Sequence, residues 1–463
     1  MAISDQAYQK WLQAPSVPRV LLAELHHADG IEYVADRPFI SRPNDENPNC
    51  IYNDVLSAAV DVTSRLDAQT EIGDLQLRDD GSISHWIGYQ WRGHDVVLRL
   101  GSPDWPLDDS RVIARQINAG IQTAERGSIV LGVYDATAKL DQPIQRDTMP
   151  DGALVPLVFG AVFGAEALQL DAQTLTYRVS QLPITDLIVR DGNGPVIGHT
   201  PDYTNGQFIA AAYTPRTMSC EIVEPHSTAV AIIQWVAQEY DLSVADLSGL
   251  PSYTLGLRYA SEVTGRQILD DVCAAISAHW SIDLLGQIQV QRLTEPQVPD
   301  LVLYADDIEY GGIRLVSTQE PLAQLTLQYG RNHTPMTEVA GSIHDSDPAL
   351  AQRLRSEWQS SSANNALSGF PLAPDHELSV ALVNLADVQT ELNHRLALRS
   401  VRRDVYELSV FRAAGADIVG KSVRVEHPRL QGRLGRIISA RLTPGSERAV
   451  LEIWVKGAGF EQT

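Results

Sequence analysis

The amino-acid sequence predicts a mainly β, multidomain fold, made of β-sandwich and barrel modules with a small α/β insert. The chain has 463 residues, which at roughly 100–200 residues per domain corresponds to three or four domains. Its 32 glycines and 25 prolines are scattered, which favours many short strands joined by turns. Helical spacing of apolar residues is concentrated in one internal stretch and in two later segments, so helices should be few.

Residues 1–150 form the first predicted domain, which is β-rich. Two apolar segments flank Asp29-Gly30, a dipeptide typical of hairpin turns. Three isoleucines are spaced four residues apart, a spacing that fits one face of a helix or of a strand: Ile113, Ile117 and Ile121. Gly120 and the β-rich surroundings favour a strand.

Residues 151–223 form the second predicted β-rich segment. It follows residues 141–152, which contain two prolines and several polar residues and are interpreted as a boundary. Within it, Asp191-Gly-Asn-Gly194 is a strong turn signal. Residues 151–223 should therefore contain strands joined by tight turns.

Residues 224–298 form the predicted α/β insert. Ser227 resembles a capping residue, and Val230, Ile233 and Val236 follow at helical spacing up to residue 240. Residues 265–278 predict a second helix, and the residues on both sides of Gly286 predict a hairpin.

Residues 299–463 form the last predicted domain, which is β-rich and contains two helices. Asp347-Pro348 is a helix start, and that helix should run to about residue 358. Residues 360–374 are rich in Ser, Asn, Gly and Pro and predict a loop, whereas residues 385–398 predict the other helix. The final strands are predicted at 422–426, 435–442 and 449–455.

The formal net charge is −22, which argues against binding to phosphate backbones, because that affinity comes from Lys and Arg. We therefore expect no specific nucleic-acid binding. An acidic surface could line a passage for DNA without holding it, or it could serve only solubility.

Three cysteines, Cys50, Cys220 and Cys273, are far apart and odd in number, which predicts buried free thiols and a reducing compartment. The first residues have no basic and apolar leader pattern, so we expect no signal peptide. No apolar run approaches the roughly 20 residues that span a bilayer, so no membrane span is expected. The chain should fold in a cytoplasm.

Sequence motifs that carry chemistry are missing: there is no HExxH, GxSxG, P-loop or Rossmann glycine pattern. The neighbours His26 and His27 point to opposite faces of a strand, which disfavours one shared metal ion. Four acidic pairs could suggest catalytic carboxylates but are more typical of solvated turns: Asp79/Asp80, Asp108/Asp109, Asp270/Asp271 and Asp306/Asp307. We therefore expect no enzyme, no metal and no cofactor.

The aromatic residues Trp86, Tyr89 and Trp91 form the one candidate binding site. Together they could make a stacking face for carbohydrate. In a strand, Tyr89 and Trp91 would share one face with Trp86 opposite, unless Gly88 marks a bulge. Ordinary packing in a β-sandwich is the alternative, and it is favoured.

Two stretches resemble tail proteins of long-tailed bacteriophages (siphophages) and prophages. One is a strand-and-turn pattern formed by residues 73–81, 83–101, 127–131 and 156–160. The other is similar to the C-terminal barrel edge of tail-tip hub proteins and is formed by residues 420–429, 435–442 and 451–455. Residues 325–333 have the same character. The resemblance covers about two thirds of the chain.

This resemblance implies a virion structural protein at the tail tip, assembled in the host cytoplasm. The expected role is a baseplate hub that closes the tail tube and attaches tip or fibre proteins, next to the tail tube and tape-measure proteins. Hubs of this kind are typically trimers whose paired barrels mimic a sixfold tube, so a homotrimer is favoured over a hexamer. The α/β insert and the loop at 360–374 would then contact neighbours.

Three other functions stay open at this point. The chain could be a distal tail adaptor ring protein. It could be a carbohydrate-binding tail adhesin that uses Trp86, Tyr89 and Trp91. It could also be a glycan-degrading enzyme whose acidic residues come together only in the folded chain.

Overall fold

The computed structural model describes residues 3–14, 17–57, 62–66, 71–144, 146–283, 285–367, 370–411, 418–442 and 448–457. The fold is mainly β, as the sequence predicts, with several separate sheets and few helices. Most of the strand pairs in the described residues are antiparallel and three are parallel, which suits a chain with many short turns.

The first part of the chain contains helix α1 (Asp5–Gln13) and ten strands, followed by the short helix α2 (Thr137–Leu140). The strands are β1 (Val20–His27), β2 (Gly30–Ala35), β3 (Phe39–Ile40), β4 (Ile51–Tyr52), β5 (Val62–Arg65), β6 (Glu71–Ile72), β7 (Leu75–Arg78), β8 (Asp95–Gly101), β9 (Arg111–Glu125) and β10 (Ser128–Tyr134). Two 3-10 helices lie between them, at Ser84–Gly88 and Leu107–Asp109.

The middle part contains strands β11 (Leu157–Glu166), β12 (Leu168–Asp171), β13 (Thr176–Arg178), β14 (Asp186–Arg190), β15 (His199–Asp202), β16 (Gln207–Ala210) and β17 (Ser219–Val223). After these come helix α3 (Ala229–Glu239), strands β18 (Ser243–Val244) and β19 (Gly256–Tyr259), helix α4 (Gly265–Ala275), and strands β20 (Ala278–Ile282) and β21 (Gln287–Arg292).

The last part begins with strands β22 (Leu301–Tyr304), β23 (Ile308–Gln319) and β24 (Gln324–Tyr329), with a 3-10 helix at Ala305–Asp307. Helices α5 (Gly341–Ser346) and α6 (Pro348–Arg355), strands β25 (Gln359–Asn364) and β26 (Asp375–Ser379), and helix α7 (Leu385–Leu398) follow. The chain then forms strands β27 (Arg403–Val410), β28 (Ser422–Glu426), β29 (Arg433–Leu442) and β30 (Ala449–Lys456).

The N-terminal sheet has six strands in the order β2-β1-β8-β9-β10-β7. Its strand β1 is buried on both faces: Leu21, Ala23 and Leu25 join one hydrophobic core, and Val20 and Leu22 join another. The period-2 alternation of a strand produces this division. The hairpin expected at Asp29-Gly30 is confirmed, since β1 pairs with β2.

Residues 157–223, together with β19 from the α/β insert, form a small β-sandwich. One layer has the order β14-β17-β11-β19 and the other β12-β13-β16-β15. Phe208 is fully buried between the layers, and its ring stacks on that of Tyr177 at 5.4 Å between centroids. The two layers thus share one apolar core.

A single large core unites the α/β insert with segments that precede and follow it in the sequence. It includes Leu140 from before the insert and Leu325, Leu382 and Leu392 from after it, together with the apolar faces of α3 and α4. The insert therefore packs on neighbouring elements as well as on itself. The boundaries at 223/224 and 298/299 stay proposals about domain organisation.

The C-terminal sheet has the main order β22-β28-β29-β30-β27-β23, and it also includes β5 and β6 from the first 150 residues. Strand β5 pairs with β29, with Arg65 opposite Ser439. Strand β6 pairs with β5, while β7, two residues further along the chain, pairs with β10 of the N-terminal sheet. Residues 71–78 thus connect the two largest sheets.

Most predicted elements are confirmed, but several differ. Residues 84–88 form a 3-10 helix rather than part of a strand, because Trp86 turns inward between two exposed neighbours. The predicted loop 360–374 begins as strand β25, which pairs with β24; residues 368 and 369 lie outside the described residues.

Helix ends differ by a few residues. Thr228, not Ser227, caps α3 by accepting a hydrogen bond from the Ala231 N–H. The helix from Asp347 ends at Arg355, and α4 ends at Ala275. Ends are set by local capping and packing, which spacing alone does not locate.

Candidate functional site

The aromatic residues Trp86, Tyr89 and Trp91 lie together at one end of the N-terminal sheet. The Trp86 and Trp91 rings are 5.7 Å apart, edge to face, and the Trp91 indole N–H donates to the Trp86 carbonyl at 2.9 Å. Both tryptophans are only 2% exposed. Their rings are part of the hydrophobic core, which is the packing role that the sequence favours.

Tyr89 is the member of this group that keeps some solvent exposure. Its ring stacks on His27 at 4.3 Å with an interplanar angle of 13°. Its other neighbours, Trp91 and His85, lie at 5.5 and 5.6 Å between ring centroids. In this arrangement a sugar could reach Tyr89 but not the faces of both tryptophans, and carbohydrate stacking by all three stays a prediction.

Two buried amides, Gln116 and Asn118, lie on β9 in the same sheet. Gln116 is 2% exposed and Asn118 is fully buried. Within the described part of the chain, neither polar atom of the Gln116 side chain nor the Asn118 Nδ2 has a hydrogen-bond partner. Buried amides without partners cost about 1–3 kcal/mol each, so these are polar groups that the sequence analysis missed. Their alternation on either side of Ile117 is the signal that could have indicated them.

The histidine pair behaves as strand geometry predicts. His27 is buried, its Nδ1 accepts a hydrogen bond from the Asp29 N–H at 3.3 Å, and its Nε2 lies 3.9 Å from the Glu32 carboxylate. His26 is half-buried and pairs across the hairpin with Ile31. In the ranges that the structure describes, no group of three His, Cys, Asp or Glu side chains is placed to hold a metal ion.

The acidic pairs form local structural contacts. Asp79 accepts the Gly81 N–H in a turn, Asp108 accepts the Glu46 N–H, and Asp307 accepts the Tyr304 N–H. On α4, Asp270 accepts the Trp280 indole N–H at 2.6 Å, and Asp271 accepts the Tyr259 hydroxyl at 2.8 Å.

Asp271 is the member of these pairs whose pKa departs upwards from its ordinary value. Burial raises the pKa of the Asp271 carboxyl, the Tyr259 hydrogen bond opposes that rise, and the adjacent Asp270 adds to it. A half-buried carboxyl of this kind is the chemical type that a general acid requires. Its partners here, however, are structural.

A cavity of about 340 Å³ lies between the end of α7 and the C-terminal sheet. Glu295, His394, Arg403 and Lys456 are among its lining residues. Glu295 bridges the buried Arg403 and the Lys456 ammonium, the latter at 3.0 Å. Burial would raise the pKa of Glu295, but the two cations more than offset this and hold that pKa below its usual value.

Strand β23 carries a surface that the sequence analysis did not single out. Residues 309–312 form a wide bulge between the pairs Ile308–Val410 and Ile313–Leu408. The bulge presents a fully exposed Tyr310, and the outer half of the strand exposes Leu315 and Val316. β-bulges change the direction in which a side chain points, and they are common at sheet edges and next to functional sites.

No protein-family model and no curated protein matches the chain. Solved structures do match. A 43 kDa tail protein of prophage MuSo2 from Shewanella oneidensis is 10% identical, with a TM-score of 0.46, over 94% of this chain and 98% of that one. A tail protein from Neisseria meningitidis MC58 is 10% identical, with a TM-score of 0.46, over 96% and 97%.

A chain of the native gene transfer agent virion is 16% identical, with a TM-score of 0.46, over 70% of this chain and 90% of that one. The two bacterial proteins are tail proteins, the class that the sequence resembles. A likeness of this size assigns no function. None of the helices in the described ranges is long and apolar enough to cross a membrane.

Proposed function

We propose that the chain is a structural protein of the tail tip of a long-tailed bacteriophage or prophage. In this proposal it is a baseplate hub that closes the tail tube and attaches tip or fibre proteins. It contacts the tail tube and tape-measure proteins, and it is assembled in the host cytoplasm.

The connection of the two largest sheets carries this proposal. Residues 71–78 place β6 in the C-terminal sheet and β7 in the N-terminal sheet, so the sheets are joined within one chain. Paired sheets of this kind are what the sequence resemblance implies for hubs. Three copies would then present six sheets around an axis, which supports a trimer over a hexamer.

The chemistry of the chain is consistent with a structural role. The acidic pairs and the histidine pair act in turns, caps and packing. Burial of Trp86 and Trp91 gives the adhesin alternative less support than the sequence did. A protein of this type needs covered edges and large β surfaces rather than a reaction centre.

Cryo-electron microscopy of intact particles tests the proposal. The chain should be found in a ring at the tail end, in three copies. A position in the capsid, or absence from purified particles, would overturn it.

Hydrolysis assays test the structural role separately. The purified full chain should leave peptidoglycan and polysaccharides intact. Reproducible hydrolysis that disappears in Asp271→Asn, which removes a carboxyl whose pKa is raised by burial, would show an enzyme instead.

A further inference from the structure

The cavity between the end of α7 and the C-terminal sheet has a closed end and an open mouth. Its volume is about 340 Å³. The side chain of Arg403 is 2% exposed, whereas those of Glu295 and Lys456 are 34% and 53% exposed. Arg403 therefore marks the inner end of the cavity and Lys456 its mouth. An apolar cavity of about 150 Å³ is enough to hold benzene, so the volume here can hold a small organic molecule.

The charged residues that line the cavity have a positive excess. Among the described lining residues, Arg403 and Lys456 are cations and Glu295 is the anion. His394 adds no charge at pH 7, because burial and then the nearby Arg292 lower its pKa. One further negative charge would make the set neutral. This positive excess is opposite to the chain's formal net charge of −22, so it does not simply follow from the composition.

The two cations are not equally available to a ligand. The Arg403 Nε donates to the Leu398 carbonyl at 3.1 Å, and both of its terminal nitrogens donate to Glu295. The Arg403 guanidinium also lies 4.2 Å from the centre of the Trp454 ring. Lys456 has one carboxylate neighbour within the described residues, Glu295 at 3.0 Å. An ammonium group has three N–H donors, so Lys456 keeps donors for a second acceptor.

Part of the lining is apolar. Ala397, Leu398 and Val401, from the end of α7 and the residues after it, contribute this part. Pockets that bind small molecules typically combine apolar lining with a few polar groups that fix the orientation of the ligand. An anion with a short apolar body matches both parts of the cavity. Inorganic phosphate would match the ammonium alone.

We propose that this cavity binds a small organic anion, whose carboxylate pairs with Lys456 and whose apolar body packs on Ala397, Leu398 and Val401. The bound molecule would contact both α7 and the C-terminal sheet, so it should stabilise the folded chain. This site is independent of the proposed function, because a tail-tip hub does not require it.

Isothermal titration calorimetry of the full-length chain with hexanoate tests the proposal. Acetate has the same carboxylate without the apolar body, and 1-hexanol has the body without the carboxylate. Hexanoate should bind at least about tenfold more tightly than either, because it makes both sets of contacts. Absence of hexanoate binding, or equal binding of hexanoate and 1-hexanol, would overturn the proposal.

Two charge variants should have opposite effects on hexanoate binding. Lys456→Gln should weaken it about tenfold, because the ion pair is lost. Glu295→Gln should strengthen it, because Glu295 competes for the same ammonium. Lys139→Gln and Glu125→Gln change exposed residues outside the lining and should leave binding unchanged. Unchanged binding in Lys456→Gln, or a loss of the same size in both charge variants, would contradict the proposal.

A steric variant tests the site without changing its charge. Ala397 is exposed and lines the cavity, so Ala397→Phe should block hexanoate binding without changing the Tm of the free chain by more than about 2 °C. Ala386→Phe, at an exposed position on the same helix and outside the lining, is the matched control and should bind hexanoate normally. Hexanoate binding by Ala397→Phe that equals binding by the control would place the ligand elsewhere and overturn the assignment.

Discussion

Replacing Glu391 with alanine tests how strongly the α/β insert depends on helix α7. Glu391 is fully buried on α7, and its carboxylate binds Arg292 from β21 and Arg395 on its own helix, the latter at 2.7 Å. The Ser277 hydroxyl, just after α4, donates to the same carboxylate. One side chain thus connects the insert to the C-terminal third of the chain.

The expected loss is large because two arginines would lose their partner. Breaking a buried ion pair by removing one member costs about 3–5 kcal/mol. In a cooperative folding unit of about 150–250 residues, each kcal/mol of lost stability lowers Tm by about 2–4 °C. Glu391→Ala should therefore lower Tm by roughly 6–20 °C. Glu391→Gln keeps the shape and one acceptor, so its effect should be smaller.

Differential scanning calorimetry measures this change. The matched control is Asn393→Ala, an exposed position on the same helix that should change stability by less than about 0.5 kcal/mol. A Tm for Glu391→Ala within about 2 °C of the control would refute the reasoning. It would mean that the insert folds independently of α7.

Three further predictions concern single residues. Gly160→Ala should cost at least about 2 kcal/mol in chemical denaturation, because Gly160 has φ +64° and an added Cβ would overlap a backbone carbonyl, whereas Gly127→Ala, in open space at φ +90°, should cost less. Burial lowers the pKa of His333 to about 3, so as the pH falls the unfolded state binds the His333 proton before the folded state does. The free energy of unfolding should therefore fall by up to about 4 kcal/mol from pH 6.5 to pH 3. His333→Gln should flatten that part of the curve of unfolding free energy against pH. Burial raises the pKa of the thiols of Cys220 and Cys273, so a thiol reagent at pH 8 should modify them only after unfolding; rapid modification of the native protein at either position would contradict this.

Elements with strong local signals could be predicted from the sequence. Residues 385–398 have helical spacing, and α7 occupies the same residues. The spacing of Ile113, Ile117 and Ile121 fits one face of a helix or of a strand. Gly120 favours a strand, and these residues do lie on strand β9. In both cases the information lies within one short segment, so no distant contact is needed to read it.

Elements that depend on a distant partner could not be predicted. Strand β25 consists mainly of Ser, Gln and Asn, a composition typical of loops, yet its backbone pairs with β24 across its whole length. The shared core is a similar case, because composition changes at residues 224 and 298 while Leu140 and Leu392 pack into the same core. Pairing and packing between distant segments produce no periodic pattern of apolar residues within either segment, so the sequence of one segment does not indicate them.

The candidate site was predicted in part. The sequence places Trp86, Tyr89 and Trp91 close together, and they are, but strand alternation gave the wrong backbone for Trp86. The buried amides of Gln116 and Asn118 and the exposed edge of β23 were missed, because burial and edge position depend on strand order. Sheet order is a tertiary property.

The uneven charge constrains how an acidic passage for DNA could be built. The whole chain has a formal net charge of −22, but residues 401–463 have more basic than acidic side chains. The acidic excess therefore belongs to the rest of the chain. In the proposed ring of three copies, the N-terminal and C-terminal sheets would then give the wall sectors of opposite sign. Salt screens each sector over roughly 8 Å, so DNA near one sector would hardly sense the next. An acidic lumen therefore requires the basic side chains of the C-terminal sheet to face away from the channel. A ring structure in which Lys and Arg equal or outnumber Asp and Glu along the channel would exclude it.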